Sequence, residues 1–152
     1  MEGKKAPTFT TIDQHGNQVS LADLQGKQVL LYFYPKDMTS GCTVEANGFE
    51  DLYDKFKKMN TEILAVSRDS QTSHQKFCEK EGLTFPILVD EDGSITETYG
   101  VWKEKSMYGK KYMGISRESF LIDESGVIIK HWDTVKPANH PQEVLDYLKE
   151  LK

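Results

Sequence analysis

The sequence predicts an α/β fold with a mixed central sheet, helices on both faces and an N-terminal hairpin. Two successive strand–helix units between residues 29 and 81 are the first observation behind this prediction, because such units pair their strands in parallel. Two strand patterns around a tight turn near the C-terminus are the second, since such strands pair antiparallel. A chain of 152 residues is long enough to bury its own core. We therefore expect a single domain over residues 1–152.

The first predicted elements lead to a cysteine. Residues 9–12 and 18–21 are typical of a short hairpin, and residues 29–34 form a continuous apolar run typical of a buried strand. After Gly41 the apolar residues recur at three- and four-residue steps, which predicts a long helix. The recurring residues are Phe49, Leu52, Tyr53, Phe56 and Met59.

The second strand–helix unit follows directly. Residues 62–67 again resemble a buried strand, and Ser70 or Thr72 can cap a helix that runs to Glu81. Gly82 supplies the C-terminal stop of that helix. Residues 85–89 predict a short third strand, and the acidic turn at 90–93 leads to a short helix over 94–99.

The C-terminal third predicts a hairpin and a closing helix. Residues 116–122 and 127–132 flank a turn at 123–126, and residues 141–152 carry one apolar face typical of a helix. Residues 101–114 are the least regular part of the sequence. We expect them to form a mobile loop beside the reactive cysteine described below.

Composition excludes several classes of function. The net charge is −5 and the lysines are interspersed with acids, which argues against a nucleic-acid partner. No apolar run is long enough to cross a membrane, and no apolar signal core follows the first lysines, so we expect a cytoplasmic protein without a membrane partner. The two cysteines lie 36 residues apart, in neither a C-x-x-C pair nor a zinc set. In a reducing compartment both are expected to be free thiols.

Cys42 is the main candidate for chemistry. It falls in the first turn of the long helix, where free N–H groups and the helix dipole favour a thiolate. Gly41 allows a close backbone approach, the Thr39 hydroxyl can point into the same pocket, and Pro35 can shield one side from water. The alternative is a buried structural cysteine, which is a common fate of free cysteines. The position at a helix start weighs against that alternative.

The pattern Pro35-x-x-x-Thr39-x-x-Cys42 resembles the active-site motif of the peroxiredoxins, thiol peroxidases of thioredoxin-like fold. The longer string YPKDMTSGCT-x-EA at residues 34–46 resembles the subgroup called peroxiredoxin Q or bacterioferritin comigratory protein. Further matching blocks lie at residues 65–70, 99–102, 107–110 and 114–123. The resemblance therefore extends over nearly the whole chain.

The resemblance implies a role for each matching residue. Cys42 would be the peroxidatic nucleophile that becomes a sulfenic acid, Thr39 would position the peroxide, and Pro35 would shield the sulfur. Arg117 matches the arginine that stabilises the thiolate and the charge developing on the peroxide oxygens. Arg68 is a weaker candidate for that cation. The reaction would need no metal, haem, flavin or other cofactor.

One departure concerns the second cysteine. Many members of the subgroup carry a cysteine five residues after the nucleophile, where this chain has Asn47. Cys78 lies on the second predicted helix, where some members carry a resolving cysteine that forms an intramolecular disulfide with the nucleophile. That bond would require local unwinding, because bridged Cα atoms lie within about 7 Å of each other. The alternative is that Cys78 belongs to the core and an outside thiol resolves Cys42.

The resemblance implies that the substrates are hydrogen peroxide and small organic hydroperoxides, with thioredoxin or a similar dithiol protein as reductant. A monomer or a weak dimer is expected. Two other functions stay open: a thiol–disulfide oxidoreductase, which the missing C-x-x-C disfavours, and a redox sensor or holdase using the same sulfenic acid. The four histidines lack metal-ligand spacing and are expected at the surface, as is the acidic turn at residues 90–92.

Overall fold

A computed structural model describes residues 1–151 of the chain. It contains strands and helices, with a 3₁₀ turn at Leu21–Leu24 after the first hairpin. The strands are β1 (Thr10–Ile12), β2 (Gln18–Ser20), β3 (Gln28–Phe33), β4 (Thr61–Ser67), β5 (Ile87–Val89), β6 (Trp102–Met107), β7 (Lys110–Ile115), β8 (Glu118–Ile122) and β9 (Ile128–Trp132). The helices are α1 (Ser40–Lys58), α2 (Gln71–Glu81), α3 (Ser94–Thr98) and α4 (His140–Glu150).

The central sheet has five strands in the order β5-β4-β3-β8-β9. Strands β3, β4 and β5 are parallel, whereas β8 is antiparallel to both β3 and β9. Strands β3 and β4 are largely apolar and buried on both faces, because helices cover the sheet on each side. The mixed sheet and the separate N-terminal hairpin β1–β2 confirm the predicted architecture.

Two apolar layers cover the sheet. On one face α1, α2 and α4 bury a cluster that includes Tyr32, Phe49, Phe77 and both cysteines. On the other face α3 and the segments before and after it bury Phe33, Phe120 and their neighbours. Helices therefore lie on both faces, and both thiols lie on the same side of the sheet.

The segment at residues 101–114 is not the irregular loop that the sequence predicts. It forms an antiparallel hairpin, β6–β7, in which Trp102 pairs with Ile115 and Met107 with Lys110. The turn residues Tyr108 and Gly109 have φ angles of 52° and 78°. These signs match a two-residue hairpin turn in which both central residues are left-handed. Because the outer part of the hairpin is exposed on both faces, its sequence lacks the apolar–polar alternation that identifies a half-buried strand.

Several predicted boundaries shift. Leu21, the predicted last residue of the second strand, belongs to the 3₁₀ turn instead. Strand β5 begins at Ile87 rather than at residue 85. Strand β8 begins at Glu118 rather than at residue 116. The closing helix α4 extends from His140 to Glu150, and the predicted last residue, Lys152, lies outside the described residues. Among residues 1–151, no helix is sufficiently long and apolar to cross a bilayer.

Two predictions about polar residues are wrong. His74 and His140 are fully buried, because each finds hydrogen-bond partners inside the fold for both ring nitrogens. Asp90 is also buried, since its carboxylate accepts hydrogen bonds from the main-chain N–H groups of Ile95 and Thr96 at the start of α3. The remainder of that acidic turn is exposed apart from Gly93.

Candidate active site

Cys42 is the third residue of α1 and follows the carboxyl end of β3 across a six-residue loop. Thr39 is the N-cap residue of this helix and has extended backbone angles. The sulfur is buried, with 2% of the residue exposed, and both cysteines are free. The first turn of α1 has no acidic residue, so nothing there competes with the sulfur for the free N–H groups.

Arg117 reaches the sulfur from the other side of the site. Its Nη2 lies 3.4 Å from Cys42 Sγ and donates a hydrogen bond to it. A hydrogen bond from a cation is stronger to an ionised acceptor, so this contact stabilises the thiolate relative to the thiol. Gly41 makes the approach possible, because a Cβ at that position would lie 3.2 Å from Nη2.

Glu45 forms an ion pair with Arg117. It was not identified from the sequence as a site residue. Its Oε1 accepts a 2.8 Å hydrogen bond from Arg117 Nη1, and the residue is fully buried. Its Oε2 is buried without a hydrogen-bond partner among residues 1–151. Burial raises the pKa of the Glu45 carboxyl to about 7, although Arg117 opposes the rise. The sequence offers one signal for this residue, because a charged side chain stands three positions after Cys42 on the buried face of the helix.

The charges around the sulfur influence one another. Burial alone would lower the pKa of Arg117, but Glu45 and Cys42 together raise it, so the guanidinium stays charged. Lys105 on β6 is a second cation in range: burial and then repulsion from Arg117 lower its pKa, whereas Cys42 opposes that change. Two cationic side chains, Arg117 and Lys105, therefore lie within electrostatic range of the sulfur.

The adjoining residue, Glu118, helps to fix Arg117. Its buried carboxylate lies 2.7 Å from Lys103 Nζ and 2.7 Å from His131 Nε2. These contacts tie the start of β8 to both β6 and β9. The backbone from which Arg117 extends is thus held on two sides.

Thr39 and Pro35 line the loop before the helix. The exposed Thr39 hydroxyl donates a 2.8 Å hydrogen bond to the Lys36 carbonyl, so its lone pairs are free to accept one. Pro35 is half-buried and lines a cleft of about 360 Å³ together with residues of the β6–β7 hairpin. Arg68 also lines this cleft, but its guanidinium stacks 3.4 Å from the Trp102 ring centre and bonds Thr96 Oγ1. The structure therefore brings Arg117, rather than Arg68, to the sulfur.

Cys78 lies in the middle of α2, in the same apolar cluster as Cys42. It is buried, and burial followed by the nearby Asp37 carboxylate raises the pKa of its thiol to about 12. The helix that holds it is capped at both ends, by Ser70 at the start and by left-handed Gly82 at the end. In the folded protein Cys78 is therefore a protonated and weakly nucleophilic thiol.

A buried network that the sequence did not reveal joins the loop before α1 to the start of α2. Asp37 accepts hydrogen bonds from the Tyr34 hydroxyl and, at 2.7 Å, from the Ser73 hydroxyl. His74 Nδ1 lies 2.7 Å from the same carboxylate, and its Nε2 lies 2.8 Å from the Leu88 carbonyl. The Asp37 carboxylate thus ties the first turn of the Cys78 helix to the loop that leads to Cys42.

Asp37, His74 and Asp69 form the one grouping of potential metal ligands in the described part of the chain. Their donor atoms are already engaged: both nitrogens of His74 contact oxygen acceptors, and Asp69 Oδ2 accepts from the Asp37 N–H and the Ser67 hydroxyl. A ligating imidazole presents a free lone pair to its metal. We therefore assign this grouping a structural role.

The chain is similar to several known proteins along most of its length. The family model described as AhpC/TSA family matches residues 3–131. Peroxiredoxin Bcp of Bacillus subtilis is 48% identical, covering 98% of this chain and 95% of the relative, and that of Escherichia coli K12 is 50% identical, covering 97% and 95%. A solved structure of the Xanthomonas campestris bacterioferritin comigratory protein, from a study of its alkyl peroxide reduction, has a TM-score of 0.89 and 40% identity. That match covers 94% of this chain and 91% of the other.

Proposed function

Because the chain belongs to the AhpC/TSA family and, within it, to the peroxiredoxin Q or bacterioferritin comigratory protein subgroup, we propose that Cys42 is its peroxidatic nucleophile. The protein is a thiol-dependent peroxidase. The observation that carries the assignment of Cys42 is the 3.4 Å contact between its sulfur and the Arg117 guanidinium at the start of α1.

The chemical step transfers one oxygen. The Cys42 thiolate attacks one oxygen of the peroxide, an S–O bond forms, the O–O bond breaks, and the bonding pair leaves with the second oxygen. That oxygen takes up a proton and departs as water or an alcohol, and Cys42 becomes a sulfenic acid. Arg117 can stabilise the charge as it moves from sulfur to the leaving oxygen. Thr39 can accept a hydrogen bond from the peroxide, and Pro35 shields one side of the sulfur.

We propose hydrogen peroxide and small organic hydroperoxides as substrates. The open cleft beside Pro35 can admit a small alkyl group, and the X. campestris relative is described for alkyl peroxide reduction. The proposal includes no metal or other cofactor, and a monomer or weak dimer as the working form. The reductant would be thioredoxin or a comparable dithiol protein in a reducing compartment such as the cytoplasm.

Resolution by Cys78 is the finer part of the proposal. Its thiol would condense with the Cys42 sulfenic acid, releasing water and forming a disulfide, which a dithiol reductant would then reduce by exchange. The raised pKa of Cys78 implies that α2 must open before this thiol reacts. If α2 stays closed, an outside thiol takes over the same role.

One experiment tests these roles. The pure protein is treated with one equivalent of hydrogen peroxide, and intact mass and free thiols are measured alongside Cys42→Ser and Cys78→Ser. Loss of two hydrogens and of both thiols, absent in Cys78→Ser, would support the two-cysteine cycle. Gain of one oxygen at Cys42 with Cys78 free would instead indicate an outside resolving thiol. An unreactive Cys42 would overturn the proposed nucleophile.

A further inference from the structure

The β6–β7 hairpin carries an unusual share of the exposed apolar surface. Four of the eight large hydrophobic side chains exposed among residues 1–151 lie in this one hairpin. They are Met107, Tyr108, Tyr112 and Met113. Exposed apolar side chains gathered in one element are more typical of an interaction site than single ones scattered over a surface.

The tip of the hairpin is strained as well as exposed. Tyr108 has a φ of 52° and is 98% exposed. A left-handed backbone disfavours a bulky side chain, and this position of a hairpin turn normally selects Asn, Asp or Gly. The Tyr108 ring is almost fully exposed, so it adds little packing energy to offset the unfavourable backbone angle. The ring is therefore fully available for contact with a partner.

The hairpin is also basic on a protein whose net charge is −5. It carries four lysines against one glutamate. Lys103 pairs with buried Glu118, and Lys111 pairs with Glu104 across the strands. Lys105 and Lys110 have no ion-pair partner among residues 1–151. The hairpin is therefore complementary in charge to an acidic surface.

The hairpin shares a cleft with the segments that precede both cysteine-bearing helices. Lys105 and Tyr112 of the hairpin line the 360 Å³ cleft together with Pro35 and Asp69. Pro35 belongs to the loop that leads into the Cys42 helix, and Asp69 directly precedes the Ser70 cap of the Cys78 helix. A protein that covers this cleft therefore lies beside the segments that lead into both cysteine-bearing helices.

We propose that the β6–β7 hairpin is the docking surface for the dithiol reductant, whose contacting face is apolar at its centre and acidic at its rim. This inference rests on the proposed peroxidase function. A peroxide is small enough to diffuse to Cys42 without a docking surface, whereas a reductant protein must cover the surface beside the sulfur that it attacks. Tyr and Met suit this purpose, because both make large contacts and Met adapts to partners of different shape.

Two reductants and three variants test the inference. Peroxide turnover is measured with purified thioredoxin, thioredoxin reductase and NADPH, and separately with dithiothreitol, which needs no docking surface. The variants are Tyr108→Asn, Lys110→Glu and the matched control Lys27→Glu. Lys27 is exposed and directly precedes β3, at the opposite end of that strand from the loop that leads to Cys42. Asn suits the left-handed turn, so the melting temperature of Tyr108→Asn should not fall.

We expect kcat/KM for thioredoxin to fall about fivefold in Tyr108→Asn, which loses aromatic contact area, and in Lys110→Glu, which reverses a steering charge. Turnover with dithiothreitol and both activities of Lys27→Glu should match the unmodified chain. The loss in Lys110→Glu should shrink as salt is added, because screening weakens steering.

Equal kcat/KM for thioredoxin in all four proteins would overturn the docking surface. An equal loss with dithiothreitol would also overturn it, since the hairpin would then serve the chemical step. Binding to anionic phosphatidylglycerol vesicles that both hairpin variants abolish, with thioredoxin kinetics unchanged, would assign the surface to a membrane and reject the reductant. Failure of the peroxidase proposal is distinct: the unmodified chain would turn over peroxide with neither reductant.

Discussion

Glu45→Gln tests whether the ionised Glu45 carboxylate, which holds Arg117 beside the sulfur, lowers the free energy of unfolding. The substitution keeps the shape of the side chain and an oxygen that can accept from Arg117 Nη1, but it removes the buried negative charge. Burial raises the pKa of Glu45 from its ordinary 4.5 to about 7, although Arg117 opposes the rise. The carboxylate therefore costs the folded protein free energy whenever it is ionised.

The magnitude follows from the two pKa values. The difference between 4.5 and about 7 corresponds to about 3 kcal/mol. Because the folded-state pKa is the higher one, the folded protein retains a proton that the unfolded chain has lost between these pH values. The stability that Glu45 contributes is thus fully present below pH 4.5, falls as the pH rises to about 7 and stays at its reduced level above that.

The assay is urea unfolding of the unmodified protein and Glu45→Gln at a series of pH values from 4 to 9. Other groups titrate in both proteins, so the difference in the free energy of unfolding isolates Glu45. We expect no difference near pH 4 and a Gln variant more stable by about 3 kcal/mol near pH 8. Its peroxidase rate should nevertheless fall about tenfold, since a neutral amide oxygen holds the Arg117 guanidinium less firmly than a carboxylate does. A Gln variant less stable than the unmodified protein at pH 8 would refute the reasoning.

Three further predictions concern the surrounding structure. Gly48→Ala should lower the free energy of unfolding by about 1–3 kcal/mol in thermal or urea unfolding, because the new Cβ would lie 2.8 Å from Pro141 Cγ where α1 meets α4. Asp37→Ala should cost about 3 kcal/mol by the same measurement and speed disulfide formation after peroxide addition, since it releases the first turn of α2. At pH 8, iodoacetamide should modify Cys42 well before Cys78 by peptide mass mapping, and low urea should accelerate only Cys78, whose burial raises its pKa to about 12.

The central sheet could be predicted from sequence because its strands are buried on both faces. Continuous apolar runs such as those in β3 and β4 give a strong signal without any knowledge of partners. The β6–β7 hairpin gave no such signal, because its outer part is exposed on both faces. Its turn also places Tyr108 where a glycine or asparagine is expected. The start of α1 and its cysteine were recognisable from local sequence alone.

The polar interior could not be predicted in the same way. Burial of Glu45, His74 and His140 depends on partners 72, 37 and 21 residues away in the chain. The residues adjacent in sequence do not indicate such partners. Charged and imidazole side chains are exposed in most proteins, so exposure is the default prediction. Arg117 is the opposite case, because only the resemblance to the peroxiredoxins singled it out among nineteen lysines and arginines.

The two thiols differ in ways that separate their proposed roles. Cys42 contacts a guanidinium at a helix start, whereas Cys78 lies in mid-helix with a pKa raised to about 12 by burial and by Asp37. The same Asp37 carboxylate holds the first turn of α2 in place, so it keeps Cys78 both protonated and enclosed. Opening of that turn would remove both restraints together. A resolving thiol held this way reacts only after α2 opens, which leaves the closed fold free to bind peroxide at Cys42.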